Sequence, residues 1–413
     1  MSRFHLFAAA GMFTLAIVLG GCAARHDGYL KFDANTPGNK PLVFAAKLFA
    51  SENTYPGYQT FNNAGDTFYT QNLGLPELRQ KLATYASRLH GAARTRQFGP
   101  ENITVTNSGM SALMLVTQAI VGPGDRVVIV TPVWPNLVEI PKVLGADAVT
   151  FPLTFGPEGW TLNLERLLET LSPNTRAVYI NSPNNPTGWT IDRKSQIAIL
   201  EHCRRHGIWI LADDAYERLY FAGPQMGDIA TASPAPAPSF LDIATTQDRV
   251  ISVNTFSKSW LMTGFRLGWI VMPEDLIEDI GKLIEYNTSC APPFVQRAGI
   301  AAVKDGEPIV VHTVSRLQQS RDFLLTRLSE IPGIEATIPP GAMYAFFRVA
   351  GLTDSLSFCK RLVAEFGLGL APGIAFGEEG EGFVRWCFAA SEERLAEGVA
   401  RLQRALGSVQ LHR

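Results

Sequence analysis

Beyond residue 100, short unbroken apolar runs alternate with longer stretches in which apolar residues recur every three or four positions. The runs at 103–106, 126–131, 148–151, 176–181, 208–212, 250–253 and 267–271 are rich in Val, Ile and other apolar residues. A strand that is apolar on both sides is one covered on both faces. Residues 109–121 and 193–206 carry the helical period, and a helix-like stretch after 131 runs to 144. Strands alternating with helices predict an α/β fold whose large unit holds a mainly parallel, seven-stranded type of sheet covered by helices.

After about residue 290 the texture changes. A long helix is predicted over 310–328, then a strand at 344–349, a helix at 356–366, a strand at 382–388 and a helix at 392–406. This reads as a smaller α+β domain, 290–413, following a large domain at 61–289. The Pro/Ala-rich stretch 233–238 predicts a surface loop.

The first residues follow another pattern. Arg3 supplies a positive start, residues 6–19 form an almost unbroken apolar run, and the run ends Leu19-Gly20-Gly21-Cys22. That run is short for a membrane span and suits a signal-peptide core. The ending resembles a bacterial lipobox, which makes 1–22 a signal or lipoprotein-like segment with Cys22 the lipidated residue. A buried helix, or a start site assigned too far upstream, is the other reading.

Composition narrows the partners. A formal charge of −2 over 413 residues, with Lys and Arg scattered, argues against nucleic acid and for small molecules. The five cysteines, Cys22, Cys203, Cys290, Cys359 and Cys387, form no C-x-x-C pair, so neither a metal site nor a structural disulfide is expected. Cys203 and Cys387 read as small buried hydrophobes.

The candidate chemistry centres on Thr255-Phe256-Ser257-Lys258-Ser259-Trp260, with Arg266 beyond it. Hydroxyls and a guanidinium grip a phosphate, and an amine beside them forms an imine with an aldehyde. Three further stretches join it: Asn184-Asn185-Pro186-Thr187-Gly188 after a strand, Asp213-Asp214-Ala215-Tyr216 at the end of another, and Val384-Arg385-Trp386 near the C-terminus. In this order they resemble the class I/II aminotransferases, fold-type-I enzymes that use pyridoxal 5'-phosphate (PLP). The resemblance covers roughly residues 60–410.

The resemblance implies a role for each position. Lys258 carries PLP as a Schiff base and moves the substrate's α-proton. Asp213 keeps the pyridine nitrogen protonated, as a carboxylate beside a ring nitrogen does. Tyr216 and Asn185 hydrogen-bond the cofactor's phenolic oxygen, though Asn185 also reads as plain turn chemistry. Ser108, Gly109 and Met110, at a strand-to-helix junction, hold the phosphate together with Ser257 and Arg266, with Thr255 a weaker candidate. Ser108 alone also reads as a helix N-cap. Trp134 stacks on the ring. Arg385 binds the substrate carboxylate, and its apolar surroundings call for a partner. Tyr69 reaches the neighbouring subunit's phosphate, implying a homodimer; otherwise it is an ordinary buried tyrosine.

The substrates implied are amino acids and 2-oxo acids. Residues 23–60 would be an N-terminal arm joining the small domain. No arginine takes the second-carboxylate role of the aspartate-specific enzymes, and Ser289-Cys290-Ala291-Pro292-Pro293 resembles a mixed-specificity subgroup. Because fold does not fix reaction, a PLP lyase or decarboxylase, or a non-catalytic lipoprotein on the same scaffold, stays open beside a transaminase. The N-terminus points to export, whereas enzymes of this kind are usually cytoplasmic.

Overall fold

A computed structural model describes residues 68–90, 98–223, 225–226 and 233–410. The signal-like segment with Cys22, and the arm at 23–60, lie outside the described residues.

Strands β1 (Ile103–Thr106), β2 (Arg126–Thr131), β3 (Asp147–Pro152), β4 (Thr175–Asn181), β5 (Trp209–Asp213), β6 (Val250–Thr255) and β7 (Gly268–Val271) form one sheet in the order β1-β7-β6-β5-β4-β2-β3. The pairs from β6 to β3 are parallel, and β7 runs antiparallel to both β1 and β6. The side-chain period of two sends alternate residues to opposite faces. Val127, Ile129, Ala177, Tyr179, Leu211 and Ile251 join one buried cluster. Val128, Val130, Val178, Ile180, Ile210 and Val250 join another.

Helices cover both faces. Leu113 and Val116 of α2 (Gly109–Ile120) and Ile280 and Ile284 of α6 (Ile277–Asn287) pack on the first cluster, beside α3 (Asn136–Val143). Leu167 of α4 (Leu164–Thr170) and Ile199, Leu200 and Cys203 of α5 (Arg193–His206) pack on the second. Local chemistry sets the helix ends: Asp192 caps α5 by accepting from Ser195 N, and Gly207, at φ +67°, ends it.

A third cluster joins α1 (Pro76–His90), β1 and β7 to the C-terminal elements. These include α7 (Pro293–Asp305), α8 (Glu307–Ser329), α9 (Ser355–Phe366) and α10 (Glu392–Gln410). They pack on an antiparallel sheet of β8 (Ile334–Glu335), β9 (Tyr344–Val349), β10 (Ala371–Pro372) and β11 (Phe383–Cys387), ordered β8-β9-β11-β10.

Two expectations are corrected. Ser233–Pro234 pairs with Gln225–Met226 as a short ribbon, and Ala237 and Ser239 are buried, so 233–238 is not a surface loop. Its backbone is tied down, with Ala237 N donating to Glu217 O at 2.7 Å. Cys387 is half-buried at the end of its strand, its Sγ 3.9 Å from Met343 Sδ. Cys203 is buried as expected.

Gly268 opens β7 where two chains press close. A Cβ there would stand 2.6 Å from Gly109 N and 2.7 Å from Asn254 O. Gly268→Ala is expected to cost about 1–3 kcal/mol through overpacking, read as a thermal midpoint several degrees lower. An unchanged midpoint would mean the two segments can part freely.

Candidate active site

A parallel sheet delivers the C-terminal ends of its strands to one edge, where open α/β sheets place their sites. Here that edge receives Asn181 from β4, Asp213 from β5, Thr255 from β6 and Thr106 from β1. Because β7 is antiparallel, its first residue, Gly268, pairs with both Thr106 and Thr255. Arg266, two residues earlier, therefore reaches the same edge, as does the N-terminus of α2.

The anion-binding end is built from backbone as much as side chains. Ser108 caps α2 by accepting from Ser111 N at 3.2 Å, with φ at +106°. The first amides of the helix, at Gly109 and Met110, follow this cap. Arg266 Nη1 lies 3.5 Å from Ser257 Oγ and donates to Thr263 O at 2.8 Å. The Thr255 hydroxyl is committed to Ser257 Oγ at 2.9 Å and to Leu267 O, so Thr255 braces Ser257.

Lys258 is half-buried, its Nζ 5.5 Å from the centre of the Tyr216 ring. No ion pair involves it among the described residues. Asp213 is 7 % exposed, and its Oδ1 accepts from Ala215 N at 3.2 Å. Burial pushes its carboxyl up to about 6, against the pull of that hydrogen bond and of the Lys258 charge. Its neighbour Asp214 turns away, accepting from Ser252 Oγ at 2.6 Å and Ser239 Oγ at 3.2 Å. The two adjacent aspartates therefore face different partners.

Asn181 locks the turn to the strand. Its Oδ1 accepts from Asn185 N at 2.7 Å, and its Nδ2 donates to Asp213 O at 2.9 Å. Asn185 in turn accepts from Arg385 Nη1 at 2.7 Å, which joins the C-terminal sheet to the large one. The partner expected for Arg385 is thus an amide rather than a carboxylate. Aromatic rings fill the rest of its surroundings: its Cζ lies 4.3 Å from the centre of Tyr344, 4.6 Å from Phe376 and 5.8 Å from Trp134. Its Nε is buried without a partner. Three cation–π contacts of about 0.5–2 kcal/mol each and the Asn185 hydrogen bond offset part of the several kcal/mol that desolvating a guanidinium costs.

Sequence reasoning missed three residues that the fold brings in. Tyr344 hydroxyl meets Tyr216 hydroxyl at 3.0 Å, Phe376 packs near both Trp134 and Arg385, and Asn181 ties the turn. Only Asn181 had a signal, its place directly before the Ser182-Pro183 turn. Tyr69 is 84 % exposed and stands apart from this cluster, so it is not an ordinary buried tyrosine.

Residues 30–402 match the protein family described as Aminotransferase class I and II. The chain is 33% identical over 345 residues to an aspartate aminotransferase of Pyrococcus horikoshii, covering 83% of this chain and 84% of that one. An aspartate aminotransferase of Thermotoga maritima is also 33% identical, over 84% of this chain and 86% of its own. Among solved structures, an aromatic aminotransferase from Pyrococcus horikoshii superposes with a TM-score of 0.78 at 28% identity, covering 91% of this chain and 94% of that one.

Asp213 carries a consequence for stability. Its folded pKa is raised above the unfolded value, so its contribution falls as pH climbs from about 4 through about 6 and is fully unfavourable above that. Ionising it in the folded chain costs on the order of 3 kcal/mol. Asp213→Asn, with no ligand added, is therefore expected to match or exceed the parent's thermal midpoint at pH 8 while leaving it unchanged or lower at pH 4. A fall of several degrees at pH 8 would contradict the burial argument.

Proposed function

The chain belongs to the class I and II aminotransferases, and from that premise we propose that its cleft holds PLP on Lys258 and moves an amino group between an L-amino acid and a 2-oxo acid. The observation that carries the reading is the convergence of an unpaired amine, a buried carboxylate and an under-partnered guanidinium at one sheet edge.

The residues present fit the cofactor. Gly109 and Gly268 pack closely at the start of α2, and the helix amides there, with Ser257 and Arg266, would hold a phosphate. Asp213 lacks a side-chain hydrogen-bond partner and would take the ring nitrogen. Asn185 has given its oxygen to Arg385, which leaves its Nδ2 free to donate to the phenolic oxygen with Tyr216. Trp134 would cover one face of the ring. When bound, the cofactor supplies an electron sink for the carbanion left by proton removal.

The chain's own groups do the rest. Arg385 clamps the substrate α-carboxylate through its fork. The Lys258 amine would remove the substrate's α-proton and hold it for return, acting as base and then as acid. Asp213, whose carboxyl burial pushes up to about 6, is anionic above that pH and would face the ring nitrogen as a carboxylate. Dividing the chain at 289/290 puts Lys258 and Asp213 on one side of the cleft and Arg385 on the other. We read Tyr69, 84 % exposed, as reaching a second copy's phosphate, which makes the working unit a homodimer. Cys22 remains the proposed lipid attachment point.

Borohydride reduction of the cofactor-loaded protein should fix one cofactor on a peptide containing Lys258, and Lys258→Ala should lose turnover by a factor of 1000 or more. Arg385→Ala should raise KM for the amino acid at least 100-fold. Full turnover by Lys258→Ala, or an adduct on another lysine, would refute the assignment. For the N-terminus, an intact mass showing acylated Cys22 supports the anchor, and an unprocessed Met1 in the soluble fraction overturns it.

A further inference from the structure

The segment after β5 divides its side chains between two surroundings. Asp213 and Tyr216 belong to the cleft, whereas Asp214 and Glu217 enter a buried polar network behind it. The network's cation is His90, the last residue of α1, whose side chain is 1 % exposed. Both of its ring nitrogens meet carboxylates: Nε2 lies 3.2 Å from Glu217 Oε2, and Nδ1 lies 2.7 Å from Asp242 Oδ1. A neutral imidazole has one N–H and one lone pair, so one of these contacts would set lone pair against lone pair. Only the imidazolium donates to both. Burial alone would lower its pKa; the hydrogen bonds and charges of Asp242 and Glu217 outweigh this and lift it to about 9.

The other charged groups around His90 are already engaged. Arg193 of α5 pairs with Asp242, and Arg218 pairs with Glu307 and Tyr85. Asp214, whose carboxyl is raised by burial and by the charge of Glu217, accepts from Ser252 and Ser239. Glu217 is 6 % exposed, and among the described residues His90 is the side chain its carboxylate bonds. Losing the imidazolium would leave a buried carboxylate that must take up a proton or move.

Movement there would reach the cleft. Asp214 N donates to Val253 O at 2.9 Å, Ala215 N to Asp213 Oδ1 at 3.2 Å, Glu217 N to Asp214 O at 3.0 Å, and Leu219 N to Tyr216 O at 2.8 Å. The turn is stiff, so displacing Glu217 displaces its neighbours.

We propose that His90 is a positioning residue: its imidazolium anchors Glu217, and through the 213–217 turn it sets Asp213 and Tyr216 against the cofactor. This rests on the reading of those two residues given under Proposed function.

His90→Gln removes the charge while keeping a side chain able to donate. The expected result is a PLP dissociation constant at least tenfold higher at pH 7.5, and a pH titration of the bound cofactor's visible absorbance displaced by half a unit or more. Adding Glu217→Gln should return both toward the parent, because the pair is then neutral. NMR of the parent holoprotein should show a charged His90 through pH 8, a readout that needs no variant to fold. Parent-like affinity and titration in a folded His90→Gln protein, or a neutral His90 at pH 7.5, would overturn the proposal. If the borohydride adduct on Lys258 still forms in that case, the positioning role alone has failed. If it does not form in the parent, the reading of the site has failed as well.

Discussion

Arg385 is a guanidinium taken out of water without a carboxylate to meet it. One amide oxygen and three aromatic rings hold it, and its Nε has no partner. A buried cation left in that state destabilises the protein that carries it. Lys258, with no ion pair among the described residues, and Asp213, pushed toward neutrality by burial, add to the same imbalance. Folded proteins usually neutralise such groups within themselves. Ionisable groups perturbed in this way cluster at functional sites in proteins generally.

The sheet makes that arrangement possible. Parallel strands bring Asn181, Asp213 and Thr255 to one edge without any of them being near another in sequence. The single antiparallel strand, β7, lets Arg266 arrive beside them from the opposite direction. Asn181 then fixes the relation between β5 and the turn that carries Asn185, and Asn185 fixes Arg385. Three hydrogen bonds therefore run from the backbone carbonyl of Asp213 through Asn181 and Asn185 to the Arg385 guanidinium. Behind β5, His90 meets Glu217 of the separate 213–217 turn.

Much of this could be read from the chain. The apolar runs at 126–131, 176–181 and 250–253 were legible because strands covered on both faces must be apolar throughout. The helix at Arg193–His206 was legible from its period, its Asp192 cap and its closing glycine. The ribbon at Ser233–Pro234 was not, since a two-residue pairing leaves no periodic signal and prolines suggest a loop. In the site, Lys258, Asp213, Asn185 and Arg385 stood in segments with distinctive neighbours. Tyr344 and Phe376 did not: each sits in an ordinary apolar segment and gains its place only when the C-terminal sheet meets the large one. His90 was equally silent, because its two carboxylates lie 127 and 152 residues away.

The central claim is that an amino group is stored on the protein between two half-reactions. Mixing the PLP-loaded protein with a reactive L-amino acid, and with no 2-oxo acid acceptor, tests it most directly by counting products. One equivalent of 2-oxo acid per chain, with no further release until a second 2-oxo acid is added, is the expected result. Continuous release of ammonia or carbon dioxide under those conditions would contradict it.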